Sequence, residues 1–156
     1  LNKNNEELIN TIEMVKSGLP VDLISKNISW QNFENIVTEI LYSYNFSIIQ
    51  NLIFTKPRME IDVIGTRLGI SLLIDCKHWK KYNNHQLKKS VKKQIIRSER
   101  YIRIHNSIIG IPMIVTLYDT GIHFIDNVPI VPISRFASFI NEFYDYLDKI
   151  KTISIS

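Results

Sequence analysis

With 156 residues, 45% apolar and 22% charged, the chain has the size and composition of one globular domain with a real hydrophobic core. One cysteine excludes an internal disulfide and a cysteine-based zinc site and fits a reducing cytoplasm, and no apolar run approaches the roughly 18–20 residues of a membrane span. The net charge of +4 hides an asymmetry: Lys77 to Arg103 holds ten Lys or Arg against the single acid Glu99, and the remainder holds nine basic and fourteen acidic residues.

Leu8, Ile9, Ile12 and Val15 share a face of a helix predicted over Asn4 to Lys16 and ended by Gly18, Leu19 and Pro20. This polar opening does not read as a signal peptide, and because it starts at Leu rather than Met a few residues are expected to precede Leu1. Asp22 to Ile28 is ambiguous, and Ser29 suits the N-cap of a second helix over Trp30 to Tyr44. There Phe33, Ile36, Val37, Ile40, Leu41 and Tyr44 form one stripe, with Glu34 at its edge and Glu39 on the opposite, solvent side. Phe46 to Phe54 reads as a strand, and Thr55 to Arg58 as a loop. A hairpin follows: Glu60 to Gly65, a turn through Thr66 to Gly69, and Ile70 to Lys77. After a polar loop, His85 to His105 is predicted helical, with Leu87, Val91, Ile95, Ser98 and Ile102 inward and most basic residues on the far side. Ile111 to Tyr118 has the composition of a buried strand. A short hairpin (Gly121 to Ile125, Val128 to Val131), a closing helix (Ile133 to Ile150) and a frayed tail complete the chain. This order predicts an α/β fold with a mixed sheet flanked by helices.

The hairpin carries the chemistry. Side chains alternate along a strand, so Asp75 and Lys77 share a face that Cys76 does not, while Asp62 sits mid-strand between Ile61 and Val63. Charges inside apolar strands call for a partner or a metal. A D-x-K pair alone reads most simply as an ion pair, but adding Asp62 overcompensates the lysine. Two carboxylates beside a lysine can hold a divalent cation and an activated water, the requirements for phosphodiester hydrolysis. The expected ligands are Asp62, Asp75 and the Cys76 backbone carbonyl, with Glu34 completing the set and Lys77 orienting the water or stabilising the transition state. Lys80, Lys81, Lys88, Lys89, Lys92, Lys93, Arg97 and Arg100 are the candidate phosphate contacts, although a charge run alone more often marks a solvated helix face.

These residues resemble the PD-(D/E)xK nuclease superfamily, in particular Mrr-type restriction endonucleases and archaeal Holliday junction resolvases. The resemblance spans Trp30 to Tyr118. It rests on Phe33-Glu34 in the first core helix, Ile61 to Gly65 (I-D-V-I-G), Leu72 to Trp79 (L-L-I-D-C-K-H-W) and Gln94 in the following helix. The family's proline before the first aspartate is replaced by Ile61, and Gln86 competes with Gln94 for the glutamine position. The resemblance implies a restriction-endonuclease-like fold and a Mg2+-dependent DNA endonuclease, with Mn2+ substituting. In it Asp62 and Asp75 hold the metal, Glu34 assists, Lys77 is catalytic and Gln94 is a further site residue. One domain is expected: a helical extension (1–28), the core (29–118), then a C-terminal hairpin and helix (119–156). Alternatives are a four-way-junction resolvase and, from another class, a DNA-binding module that keeps the fold without cutting; an RNA substrate stays open. Expected partners are DNA, with a homodimer and a recruiting protein left open, and no membrane.

Five neighbours have simpler expectations. Glu60 pairs with Arg58, His78 is a polar loop residue, Cys76 is a core hydrophobe, and Trp79 and Tyr82 pack over the sheet edge, with stacking on bases the alternative.

Overall fold

A computed structural model describes residues 3–18, 30–105 and 109–155. Its elements are α1 (Lys3–Lys16), α2 (Trp30–Ser43), β1 (Ser47–Phe54), β2 (Met59–Arg67), β3 (Ile70–Lys77), α3 (Asn84–His105), β4 (Ile109–Thr116), β5 (Phe124–Ile125), β6 (Val128–Pro132) and α4 (Ile133–Glu142). The expectations for Leu19, Pro20, Asp22 to Ile28 and Ser29 fall outside the described residues.

The strands form one mixed sheet in the order β1-β2-β3-β4-β6-β5. β1, β2 and β3 are antiparallel neighbours, whereas β3, β4 and β6 run parallel. A parallel neighbour requires a crossover, and α3 supplies it between β3 and β4. The alternation of β3 divides the core. Leu72, Ile74 and Cys76 face α2 and α4, where Phe33, Ile36, Val37, Ile40, Phe136 and Ile140 cover them. Leu73 lies on the other face with Tyr101 and Ile102 of α3. The outer helix α1 packs on α2 and α4 and adds Val15 to the first layer. On the second face α3 approaches β4 so closely that a Cβ on Gly110 would lie 2.6 Å from Ile102 side-chain atoms.

Two expectations are corrected at the C-terminus. The closing helix does not run to Ile150: α4 ends at Glu142 and tightens into a 3-10 turn over Phe143–Tyr146. There Phe143 is buried against Phe139, with ring centroids 5.6 Å apart, and the Tyr144 hydroxyl meets Arg67 Nε at 2.9 Å. The tail is not frayed either. The Lys151 N–H donates to the Asn127 carbonyl at 2.8 Å, and Ile153 and Gly110 exchange two backbone hydrogen bonds of 2.7 and 2.8 Å. The α3 start carries a cap that the predicted boundary passed over. Asn83 Oδ1 accepts the Gln86 N–H at 2.8 Å and Gln86 Oε1 accepts the Asn83 N–H at 3.1 Å, the reciprocal pattern of a capping box.

Candidate active site

The β2–β3 ladder runs from Arg67↔Ile70 down to Val63↔Ile74 and stops. Extended by one residue, that register sets Asp62 opposite Asp75. Here a side chain replaces the ladder: Asp62 Oδ2 accepts the Cys76 N–H at 2.8 Å. Two carboxylates thus meet where the strands part, while Cys76 turns into the opposite core layer, as its place in the alternation requires.

Burial is the main reason the Asp62 carboxyl is pushed from 3.8 up to about 7. The charge of Asp75 is the next cause, the Cys76 N–H opposes the rise, and hydrogen bonding to Asp75 and the charge of Glu34 add to it. Glu34 itself is buried at the edge of the α2 stripe, where periodicity placed it, and Glu39 is exposed. The Cys76 thiol is raised by the same burial, which leaves it an inert core group.

Asp75 is 5% exposed. Its Oδ2 lies 3.1 Å from Lys77 Nζ, yet this buried oxygen has no aligned hydrogen bond. Arg97 Nη1 stands 3.9 Å from Asp75 Oδ1. Arg97, expected with the other basic residues on the far side of α3, instead lies at the edge of the buried stripe, half-buried and turned toward the carboxylate. Its spacing gave the signal: Lys89, Lys93 and Arg97 recur every four residues and share a flank.

That flank forms one wall of a cleft of about 250 Å³, lined by Asp75, Lys77, Trp79, Gln86, Lys89, Ser90, Lys93 and Arg97. Lys88 and Lys92 are exposed but do not line it, and Lys80 and Lys81 are exposed on the adjoining loop. Arg100 is engaged elsewhere: its guanidinium donates to the Pro57 and Thr55 carbonyls at 2.7 and 2.6 Å and lies over the Phe54 ring. Gln94 is wholly buried and does not line the cleft. Its Nε2 donates to the Leu73 carbonyl at 2.8 Å, and its Oε1 accepts from Arg97 at 3.4 Å. It therefore ties α3 to the site strand and holds the arginine. Glu60 pairs with Arg58 at 3.9 Å, as expected. Trp79 departs from expectation: it is half exposed on the cleft wall, while Tyr82 beneath it packs into the core layer under α3.

Among the described residues no three His, Cys, Asp or Glu side chains converge at metal-binding spacing. Asp62 and Asp75 are the two carboxylates that meet at the strand ends, and Mg2+ where it is bound ordinarily takes one or two carboxylates and keeps several waters. The Asp62 carboxyl is held above its ordinary range by burial and by the charge of Asp75, and one buried Asp75 oxygen lacks an aligned hydrogen bond.

A six-stranded mixed sheet flanked by helices, with this connectivity, defines a restriction-endonuclease-like fold. It is similar to the crystal structure of the small subunit of a heterodimeric restriction endonuclease, with a TM-score of 0.54 and 12% identity, covering 92% of this chain and 82% of that one. In sequence, an uncharacterized protein of Archaeoglobus fulgidus is 32% identical over 122 residues, 76% of this chain and 94% of the relative. The chain belongs to the family of that archaeal protein. A second crystal structure, of a protein of unknown function, aligns at a TM-score of 0.43 and 18% identity over 69% of this chain, which spans about half (52%) of its length. No family model matches the chain. Among the described residues no helix is long and apolar enough to cross a membrane.

Proposed function

We propose that this protein is a metal-dependent DNA endonuclease of PD-(D/E)xK type, related in mechanism to the Mrr-like enzymes. The single observation that carries the reading is the pairing of Asp62 and Asp75 where β2 and β3 part, with Lys77 3.1 Å from Asp75 at the floor of a basic cleft. Asp62, Asp75 and the Cys76 carbonyl would hold Mg2+ or Mn2+, which when bound neutralises phosphoryl oxygens and activates water.

The chain's own residues do the rest. Lys89, Lys93 and Arg97 bind the backbone of the incoming strand. Arg97, steadied by Gln94, guides the scissile phosphate toward Asp75. Lys77 leaves its ion pair to orient the attacking water and to offset the charge that gathers on the phosphoryl oxygens. Glu34 holds the polar environment behind Asp62. Water adds to phosphorus as the P–O bond to the leaving sugar oxygen breaks, and that oxygen takes up a proton.

The structural neighbour is one subunit of a heterodimeric enzyme, which supports a partner chain that directs the cut. The test is cleavage of supercoiled plasmid and of a synthetic four-way junction with Mg2+, Mn2+ or EDTA, beside Asp75→Ala. Metal-dependent cutting that the variant loses is the expected result, and preference for the junction would make the enzyme a resolvase. Binding without cutting by the wild-type protein, under every metal condition, would assign it to the non-cleaving class.

A further inference from the structure

Trp79 stands at the cleft mouth, where the proposed reaction does not use it. It is 50% exposed, an unusual place for the largest apolar side chain. It is nevertheless held firmly. Its ring stacks on Tyr82 with centroids 5.2 Å apart and planes 26° apart, and the Trp79 backbone N–H donates to the Tyr82 hydroxyl at 3.0 Å. Tyr82 in turn packs with Leu87, Val91 and Ile114. The indole is therefore a platform on a loop, backed by Tyr82 and half exposed on the cleft wall. Lys77 Nζ lies 5.5 Å from the ring centroid, and Trp79 shares the cleft wall with Asp75, Lys89 and Lys93.

An open aromatic surface beside a basic groove binds a nucleobase by stacking, with affinity from the π-face of any base. In continuous duplex that face is covered by the neighbouring base pairs. Only a base that is unpaired or turned out of the stack presents it.

Resting on the nuclease reading above, we propose that Trp79 stacks an unpaired base next to the scissile phosphate, so that the preferred substrate is DNA carrying unpaired nucleotides rather than continuous duplex. Lys77 and Trp79 then act on adjoining parts of one nucleotide, the lysine on the phosphate and the indole on the base. The exposed Lys80 and Lys81 follow Trp79 directly on the loop and suit phosphates beside it.

The test is binding in Ca2+, read by fluorescence anisotropy. It compares a fully paired duplex with the same duplex carrying two unpaired nucleotides, using wild type, Trp79→Ala and Trp79→Phe. Wild type should favour the unpaired site by about 5- to 100-fold, the span that stacking of one base supplies. Trp79→Ala should bring the two affinities together, and Trp79→Phe should keep most of the preference. In a Trp30→Phe background the remaining indole fluorescence should be quenched by the unpaired site and not by the paired duplex. Equal affinity of the wild type for both DNAs, or a preference that survives in Trp79→Ala, would overturn the proposal. Because binding is read without turnover, stacking in a protein that never cuts would leave this inference standing and remove the nuclease reading. Cutting without preference would do the reverse.

Discussion

The two ends of the β2–β3 hairpin are built on opposite principles. At the turn end the polar side chains of Thr66, Arg67 and Ser71 are paired. The Thr66 and Ser71 hydroxyls bond at 2.7 Å, and Arg67 donates to the Tyr144 hydroxyl at 2.9 Å and the Tyr44 carbonyl at 2.6 Å while lying over the Phe46 and Tyr144 rings. At the open end like charges are forced together: Asp62 and Asp75 face each other in partial burial, and Lys77 and Arg97 offset them incompletely. One end stores stability and the other holds charge that folding alone disfavours. On the proposed reading, the cation-accepting site is of the second kind, and the first kind restrains it.

The comparison breaks most visibly at Lys77. On the proposed reading Lys77→Ala lowers turnover on the order of a hundredfold to a thousandfold, the usual scale for losing a transition-state contact. Metal affinity, read by calorimetry, should change far less, since the donors are carboxylates. A variant that cuts normally would remove the lysine from the chemistry. The next largest effect belongs to the other end. Arg67→Ala loses two hydrogen bonds and two ring contacts and should cost about 2–3 kcal/mol in urea unfolding. The specific activity of the folded fraction should hold, because the clamp and the cleft lie at opposite ends of the strands.

The open end makes its own prediction for stability. Asp62 ionises at about 7 in the folded chain against 3.8 when unperturbed. Between those values the folded state holds the proton more tightly than the unfolded state. Stability from this group is therefore fully present below pH 4 and is lost as pH rises toward 7. In EDTA the melting temperature should fall over that window. Asp62→Asn keeps an oxygen for the Cys76 N–H and removes the charge, so it should flatten the profile and gain about 1–3 kcal/mol at pH 8 while abolishing cleavage. A steeper fall in the variant would contradict the assignment.

The parts of this design that depend on short-range pattern were legible in the sequence. Alternation put Asp75 and Lys77 together and Cys76 away, and helical periodicity separated Glu34 from Glu39. What escaped depends on depth and on distant partners. How far Arg97 turns toward Asp75 depends on how closely α3 settles on the sheet, and that is set by Gly110 beneath Ile102. Arg100 looked as available as Lys93, but its carbonyl partners at Thr55 and Pro57 lie on a loop more than forty positions earlier in the chain. The tail reads as frayed because Ile153 finds its hydrogen bonds only on the β4 backbone at Gly110. The Asn83–Gln86 cap is visible in the sequence, but a helix begun at His85 starts one residue too late to include it.

The smallest predicted effect sharpens the account of the turn end. The register passes from Arg67 to Ile70 through only two residues, and both have positive φ, 52° at Leu68 and 77° at Gly69. Two residues of positive φ are the mark of a type I′ turn, whose twist matches that of the flanking strands and whose preferred sequence is Asn-Gly. Gly69 meets the requirement freely. Leu68 does not, since its Cβ crowds the backbone there and its side chain is 85% exposed, so no packing compensates. Leu68→Asn should therefore stabilise the chain by about 0.5–1 kcal/mol, with cleavage unchanged. A loss of stability would mean that the exposed leucine is covered in the working assembly, and the turn would then be an interface rather than a strained corner.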